Sequence, residues 1–414
     1  MLRLLGKTMF STGLYNMRNT WERIGQAVGD SLTFNVLGTL AEIEAHADAW
    51  RALERDCADP LSYFQCYDWC SAWIRQFGTS NTYEPYIVTV WSGEMLVAVW
   101  PRMIVRSWWL KRLETLGVPH SQYCGILIRR GYDRDPRIAS GLRATARASG
   151  CDVTISRAVP EGSALATVLT RKAQVRGGAN VASMLDLAPY ESAEDYTSQL
   201  GKLQKRNRNR RRNHLARLGE LSFEVIWPDH AEFGDLVRLG TEMKRRWLAE
   251  TGRFSVGFSM SGYEDFLASL AGDGETLGGA CVSVLRAGDR IVAVELGFIS
   301  NRHYYAYIGG FDWDLRDLSP GKVQMEMTVG WLIDNGIASY DLLINPADYK
   351  KSWTSRAIEV STRAEALTWR GHIYATAWLP TVRPALKRIH QSTPVLADRA
   401  VVFLRPAACL LLYV

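Results

Sequence analysis

Three apolar runs follow one another in this chain: Cys281-Val-Ser-Val-Leu285, Ile291-Val-Ala-Val-Glu-Leu-Gly-Phe298 and His303-Tyr-Tyr-Ala-Tyr-Ile308. Their alternating side chains are typical of β-strands. The first two runs are joined by Arg286-Ala-Gly-Asp-Arg290, whose glycine suits a hairpin turn. We therefore predict a three-stranded antiparallel meander, and we expect Gly309-Gly310 to close its last strand.

A helix is predicted directly after the meander, because Leu318-Ser-Pro-Gly-Lys322 has the residues that begin one. Ser319 suits the N-cap, Pro320 suits the first helical position, and Gly336 suits the end. The strand Tyr340-Asp-Leu-Leu-Ile344 then completes a crossover that should be right-handed. The free N–H groups at the start of this helix suit a phosphate, although Ser-Pro-Gly also begins many helices that bind nothing.

This order of elements, continued by Tyr349-Lys350 through Trp353, resembles the acetyltransferases associated with cellulose biosynthesis, of the CelD/BcsL type. Those proteins belong to the GNAT superfamily and are related to the FemAB peptide-bridge transferases. The resemblance extends over roughly residues 60–390. The chain departs from the usual GNAT glycine-rich phosphate motif, which is reduced here to Ser319-Pro-Gly-Lys322.

The first half of the chain carries two further stretches similar to the family. One is Phe64-Gln65 through Trp69 and Trp73, and the other runs from Arg112-Leu-Glu-Thr-Leu-Gly-Val118 to Ser121-Gln-Tyr123. The family's common Ser-Asp-Tyr reads Ser-Gln-Tyr in this chain. The resemblance implies an α/β fold of tandem GNAT-like domains, each a mixed, mostly antiparallel sheet flanked by helices.

An internal repeat supports a duplication independently of the resemblance. Gly93-Glu-Met-Leu-Val-Ala-Val99 recurs as Gly288-Asp-Arg-Ile-Val-Ala-Val294. Only the second copy continues into the predicted helix start, so the first half is expected to be degenerate. The predicted segments are an N-terminal extension (1–32), a degenerate GNAT-like domain (33–185), a GNAT acyltransferase domain (186–395) and an apolar C-terminal tail (396–414).

The composition is that of a globular protein of two or three domains. Of its 414 residues, 47% are hydrophobic and 22% are charged, which is typical neither of disordered chains nor of membrane-spanning ones. The seven cysteines show no zinc-site spacing, so no metal is expected. Without a visible secretory signal the chain is expected to be cytoplasmic. Its apolar tail is too short to span a bilayer, and either packs on the core or touches a membrane surface.

The net charge of +6 is concentrated in one segment. It contains eight cations: Lys202, Lys205, Arg206, Arg208, Arg210, Arg211, Arg212 and Arg217. Three interpretations remain open: a solvated helix face, a gate for an acidic substrate or the phosphates of a nucleotide sugar, and a nucleic-acid surface. Related transferases carry a similar basic helix at the start of their second GNAT half, which favours the first two. Arg206 and Arg210 are the candidate substrate-binding residues.

The resemblance implies acyl transfer from acetyl-CoA or another acyl-CoA. Glu295 interrupts an apolar strand, so it is either a general base with a raised pKa or a residue facing solvent. Tyr349 lies where the superfamily often places a tyrosine near the leaving sulfur, and Lys350 could bind an acidic acceptor; the alternative is that Tyr349 and Trp353 only pack a helix on the sheet. Asp341 is a further catalytic candidate. The cofactor-binding candidates are Ser319, Pro320, Gly321 and Lys322.

These features predict an acyl-CoA-dependent N- or O-acetyltransferase that acts by direct transfer. The resemblance implies an acceptor from exopolysaccharide or cell-envelope synthesis, such as a sugar or nucleotide sugar, and a partner in the polysaccharide-synthesis machinery. Two other functions stay open. One is a FemAB-like transferase that takes an aminoacyl group from tRNA, and the other is a non-catalytic scaffold for a polysaccharide synthase.

Overall fold

The computed structural model describes residues 31–57, 59–78, 82–107, 109–169, 173–344, 350 and 352–385. The apolar tail from residue 396, Tyr349 and all but the end of the N-terminal extension lie outside the described residues. Among the described helices, none is both long and apolar enough to cross a membrane.

The described chain contains both strands and helices. The strands are β1 (Leu32–Leu37), β2 (Tyr83–Ser92), β3 (Met95–Arg106), β4 (Lys111–Thr115), β5 (Leu127–Ile128), β6 (Val153–Pro160), β7 (Gln174–Asp186), β8 (Leu221–Ile226), β9 (Gly272–Asp273), β10 (Gly278–Ala287), β11 (Arg290–Ser300), β12 (His303–Phe311), β13 (Ser339–Ile344) and β14 (Arg356–Ala366). The α-helices are α1 (Leu40–Glu44), α2 (Ala47–Arg55), α3 (Tyr67–Phe77), α4 (Pro136–Ala148), α5 (Ala164–Val168), α6 (Ala193–Gln199), α7 (Lys202–Leu215), α8 (Phe233–Glu250), α9 (Val256–Ser259), α10 (Tyr263–Ala268), α11 (Pro320–Asp334) and α12 (Trp369–Ile373). Short 3₁₀ turns lie at Tyr63–Gln65, Ala216–Leu218 and Trp313–Leu318, and a π-helical segment spans Tyr374–Val382.

One continuous sheet joins the two halves of the chain, in the order β1-β2-β3-β4-β6-β14-β7-β13-β12-β11-β10-β8. Read from either edge towards the centre, the sequence of pairings is the same: three antiparallel pairs, one parallel pair and then antiparallel pairs. The parallel pairs are β4–β6 in the first half and β12–β13 in the second. This symmetry confirms the mixed, mostly antiparallel α/β fold, in which the two halves have the same order of pairings.

The two halves exchange their last strands at the centre of the sheet. β7, which ends the first half, pairs with β13 of the second half, and β14, which ends the second half, pairs with β6 of the first. β7 and β14 also pair with each other. The sheet is therefore continuous through the segment around residue 185, where the sequence pattern divides the two domains.

The predicted elements of the meander and the helix are present, with one difference at the double glycine. Gly309 and Gly310 do not close β12 but pair with β11 inside it. Gly310 lets α8 approach the sheet, since a Cβ at this position would lie 2.9 Å from the Cβ of Met243. α11 is buried on two sides, against the sheet and against α6 and α7.

The family-like stretches of the first half lie at the junction between the halves. The buried ring of Phe64 is 5.7 Å from that of Tyr305 on β12, centroid to centroid. Trp69 donates a hydrogen bond from Nε1 to Ser121 Oγ at 3.0 Å, and Gln65 donates from Nε2 to the carbonyl oxygen of Tyr123 at 2.9 Å. These residues therefore stabilise the packing of the second half's central strands on the first half.

A buried arginine fills the place in the first half where its two parallel strands separate. The guanidinium of Arg102 donates to the carbonyl oxygens of Leu113 on β4 and Ile155 on β6, and to the hydroxyls of Thr154 and Ser156. Arg102 is fully buried. The first half thus has no open space between the ends of β4 and β6 that a substrate could enter.

Candidate functional site

The corresponding parallel strands of the second half also separate after a short stretch of pairing. β12 and β13 pair only from His303 to Tyr305, opposite Ser339 to Asp341. From Ala306 onwards, β12 keeps its pairing with β11 but has no described partner on its other edge. α11 begins shortly after this end of β12. We call the space beside this strand edge the crevice.

Glu295 lies under the crevice, on the face of the sheet that α11 covers. It is 4% exposed and sits on β11 between Ser283 of β10 and Gly309 of β12. Gly309 has no side chain and is exposed, so the crevice edge beside the carboxylate is open. Burial raises the pKa of Glu295 to about 7. A carboxylate with this pKa can accept a proton near neutral pH.

Two tyrosine hydroxyls hold the Glu295 carboxylate. Tyr340 donates to Oε2 at 2.9 Å and Tyr304 donates to Oε1 at 3.1 Å, and both bonds oppose the rise in its pKa. The two rings are stacked, with centroids 5.6 Å apart. Tyr304 reaches the carboxylate by lying across Gly297, where any Cβ would overlap its ring. Gly297 is therefore required for this arrangement.

Tyr304→Phe should move the acid side of the pH–rate profile to higher pH. The lost hydrogen bond lowers the pKa of Glu295 in the wild type, so its removal raises that pKa and the base loses its proton only at higher pH. The profile of turnover against pH measures the shift, and Tyr340→Phe should move it in the same direction. A shift to lower pH would contradict the assignment of Glu295 as the base.

The predicted cofactor-binding residues form the start of α11, but Ser319 does not cap it as expected. Its backbone is left-handed, with φ of 59°, and its side chain makes no capping hydrogen bond. The hydroxyl therefore occupies none of the first N–H groups of the helix. Pro320 is the first helical residue as predicted, and Lys322 is half-exposed in the first turn.

The turn before α11 is acidic, but its charges are partly neutralised. Asp312 forms an ion pair with Arg290, and Asp314 pairs with Arg246 at 2.6 Å. Asp317 is exposed. The positive end of the helix dipole and Lys322 therefore remain available to an anion at this end of the crevice.

Lys350 and Asp341 stabilise an irregular end of β13, a role that the sequence did not suggest. The pairing of β13 with β7 is interrupted between Asp341 and Ile344, and Leu343 has φ of 61°. Asp341 accepts a hydrogen bond from the N–H of Leu343 at 2.7 Å. Lys350 Nζ donates to the carbonyl oxygens of Leu342, Leu343 and Ile344, at 2.7, 3.3 and 3.2 Å. Burial lowers the pKa of Lys350 to about 8.

Asp341 also connects the two halves. Its Oδ2 accepts a hydrogen bond from the hydroxyl of Tyr123 in the first half at 2.8 Å, and lies 3.1 Å from Nε2 of His303. The other ring nitrogen of His303 bonds to Ser339. Asp341 is fully buried, so the structure places it behind the crevice and not on its surface.

The basic segment forms α7, which packs across the outer side of α11. Arg206 and Arg210, the candidate substrate-binding residues, are both exposed. Arg208 is buried instead and donates to the hydroxyl of Tyr196 at 3.0 Å. Its guanidinium also lies over the ring of Trp353, at 4.7 Å from the centroid.

β11 lies between β10 and β12 and pairs with both strands around Val294–Gly297, with a register shift against β12 between Leu296 and Gly297. The backbone groups of this stretch are therefore mostly used within the sheet. Free backbone groups lie on the neighbouring strand, along the edge of β12 that faces the crevice.

Sequence reasoning singled out Glu295 but missed the residues that control it. Tyr304 and Tyr340 belong to strands whose aromatic side chains looked like core, and only the register shows that both reach one carboxylate. The available signal was Gly297, a glycine inside an apolar strand, since such a residue often marks the close approach of another group.

Comparisons with known proteins agree with this geometry. Residues 202–351 match the family model described as "Acetyltransferase (GNAT) domain", and no curated protein sequence matches the chain. The chain is similar to the crystal structure of FemX, with a TM-score of 0.54 and 10% identity over 82% of this chain and 98% of that one.

A second similar structure is the C-terminal domain of a protein described as a lysylphosphatidylglycerol synthetase, from Agrobacterium fabrum. Its TM-score is 0.51 and its identity is 15%, over 79% of this chain and 92% of that one. Both likenesses concern the fold of nearly the whole described chain. The domain match, in contrast, falls on the half that contains the crevice and Glu295. Residues 202–351 are therefore a GNAT-type acyltransferase domain, within a fold of two GNAT-like halves.

Proposed function

We propose that this protein transfers an acyl group from acyl-CoA to an amine or hydroxyl acceptor in the crevice, with Glu295 as the general base. The observation that supports this most strongly is the position of Glu295. It is a buried carboxylate with a pKa of about 7, next to an exposed glycine of the strand edge where β12 and β13 part. A group with this pKa is well suited to take a proton near neutral pH.

The residues at the crevice fit an acyl-CoA donor. The edge of β12 beyond Tyr305 offers backbone groups that suit the amides of a pantetheine arm, in the manner of an added strand. The first turn of α11 and Lys322 suit its pyrophosphate. Bound there, the donor would supply an activated thioester, and Glu295 would take the proton from the attacking acceptor. Tyr349, outside the described residues, stays the proposed proton donor to the leaving thiolate.

We also propose, from the resemblance to the CelD/BcsL type, that the acceptor is a sugar, nucleotide sugar or other precursor of exopolysaccharide or cell-envelope synthesis. A partner in the polysaccharide-synthesis machinery fits the same interpretation. A screen of amino sugars and nucleotide sugars for release of free CoA thiol would test the acceptor class directly.

Calorimetric titration with acetyl-CoA tests the donor, with pantetheine that lacks phosphate as the control ligand. Saturable binding that needs the pyrophosphate is expected, and Lys322→Ala should weaken it by about tenfold, the usual effect of losing one charge-assisted contact. Arg316→Ala is a matched control, since Arg316 is an exposed cation on the preceding turn. An absence of binding at millimolar acetyl-CoA would rule out the acyl-CoA enzyme.

The second candidate is a transferase that takes an aminoacyl group from tRNA, and the exposed side of α7 favours it. Lys202, Arg206, Arg210 and the following Arg217 are exposed, and none forms an ion pair with a described carboxylate. Such a surface suits a phosphate backbone. Binding of charged tRNA that falls steeply with salt and weakens in Arg206→Gln with Arg210→Gln would support this candidate.

A further inference from the structure

Two cations at the end of α8 share one tryptophan. The Lys244 ammonium lies 4.1 Å from the centroid of the Trp247 ring, and the guanidinium carbon of Arg253 lies 4.8 Å from it. Lys244 and Trp247 are three residues apart on α8. Arg253 follows the end of this helix, where the chain turns back towards both residues. The backbone N–H of Arg253 donates to the carbonyl oxygen of Leu248 at 2.8 Å, which fixes this turn of the chain.

These cations lie beside the crevice, on the face of the sheet opposite to Glu295. Met243, directly before Lys244, packs against Gly310 of β12, on the strand whose edge forms the crevice. Lys244 is also close enough to Lys350, at the end of β13, for the two charges to interact. Arg246, two residues after Lys244 on α8, reaches the turn before α11 through Asp314. The end of α8 that carries these cations therefore lies near the start of α11.

Neither of the two cations has a carboxylate partner among the described residues, in contrast to their neighbours. Arg245 pairs with Glu264 and Arg246 pairs with Asp314. Burial, then Arg253 and then Lys350 lower the pKa of Lys244 to about 8. The protein therefore holds a half-buried lysine close to an exposed arginine of like charge, and the two charges repel each other. An anion bound between them would remove this repulsion and would gain charge-assisted hydrogen bonds from both.

We propose that Lys244 and Arg253 form a binding site for a phosphate-bearing group of a substrate, with Trp247 holding the two cations in place. The site is separate from the start of α11 and lies on the other side of the crevice. The assignment to a substrate of acyl transfer rests on the proposed function, whereas the anion site itself does not. The phosphate could belong to the acceptor or to the adenosine end of the donor.

Titration with inorganic pyrophosphate tests the site without any acyl transfer. Lys244→Gln and Arg253→Gln should each lower the affinity about tenfold, whereas Lys244→Arg should keep it, because the charge is retained. Arg246→Gln is the matched control, since it removes a cation from the same helix whose charge is already paired. Unchanged affinity in both glutamine variants, or an equal loss in Arg246→Gln, would overturn the proposal.

Titrations at a series of pH values test whether Lys244 binds the anion or only stabilises the fold. With sulfate, whose charge is constant near neutral pH, wild-type binding should weaken as the pH rises through about 8, where Lys244 loses its proton. The charged groups that act on Lys244 are Arg253 and Lys350. Lys244→Gln should bind weakly and lose this dependence, and retention of the full dependence would count against Lys244.

Two further ligands identify the source of the phosphate. If Lys244→Gln weakens the binding of coenzyme A but not that of a UDP-sugar, the phosphate belongs to the donor, and the reverse result assigns it to the acceptor. Glu295→Gln should bind pyrophosphate like the wild type. Loss of acetyl-CoA binding with intact, Lys244-dependent pyrophosphate binding would therefore refute the proposed donor and leave the anion site standing.

Discussion

Glu295→Gln should lower the turnover of acyl transfer by about 10²–10⁴-fold, the usual contribution of a positioned general base. The amide cannot accept the proton of the acceptor, yet it has nearly the same size and can still bond to the hydroxyls of Tyr304 and Tyr340. Steady-state kinetics with an acceptor from the screen would measure the loss. Wild-type turnover should rise as the pH passes through about 7, where the carboxylate becomes charged, and the glutamine variant should lack this rise.

Glu326→Gln is the matched control for this substitution. Glu326 is also a carboxylate whose pKa is raised by burial, but it faces Arg212 on the outer side of α11, at 3.7 Å. Its replacement should leave turnover unchanged. Equal losses in the two variants would indicate a general effect on α11 and would refute the assignment of Glu295.

Glu295→Gln should also change how the free energy of unfolding depends on pH. The pKa of Glu295 is raised from 4.5 to about 7 in the folded protein, so the folded state binds a proton more tightly than the unfolded state does. The stabilisation from this group is complete below about pH 4.5 and is lost as the pH rises through about 7. In Glu295→Gln, the free energy of unfolding in urea should fall less steeply over this range.

Arg102→Met should lower the free energy of unfolding by roughly 3 kcal/mol or more. Methionine keeps an apolar stem but leaves the carbonyl oxygens of Leu113 and Ile155 without their donor. Each buried acceptor that is left unpaired costs about 1–3 kcal/mol. Arg102→Lys should recover little of this loss in the free energy of unfolding, since one ammonium cannot reach both strands as a planar guanidinium does. Unfolding in urea, followed by circular dichroism, would measure the difference.

Arg106 provides the control on the same strand. It forms an ion pair with Glu84, and both side chains are close to half exposed. Arg106→Gln should therefore cost no more than about 1 kcal/mol. A small effect of Arg102→Met, similar to that of Arg106→Gln, would show that Arg102 does not hold the two strands of the first half together.

The sequence predicted the local elements of the second half well, because each has its own chemical signal. Alternation marked the three strands of the meander, Pro320 marked the first residue of α11, and Gly336 marked its end. The repeated hairpin also has the same backbone geometry in both copies, with φ of 57° at Gly93 and 60° at Gly288. These features depend on residues that are close together in the chain, so a local sequence pattern can predict them.

The parts that the sequence could not predict depend on residues far apart in the chain. Counting on from the repeat, Trp100 occupies the position of Glu295 and Arg102 that of Gly297. The two halves therefore differ at these two positions, and the meaning of the difference appears only with the register of the sheet. In the same way, the contacts of Lys350 and Asp341 with the irregular end of β13 are visible only in the structure, because a sequence does not show that a strand end needs them.

The exchange of β7 and β14 also affects how the protein can fold during its synthesis. One edge of β6 has no partner until β14 has been synthesised. β14 is the last strand of the described chain to leave the ribosome. The first half therefore cannot complete its sheet while it is being synthesised, and a fragment that ends after β7 would expose the edge of β6. Such distant pairings are formed slowly. We expect the nascent chain to depend on chaperones until both halves have emerged, and neither half to be obtainable alone as a folded protein.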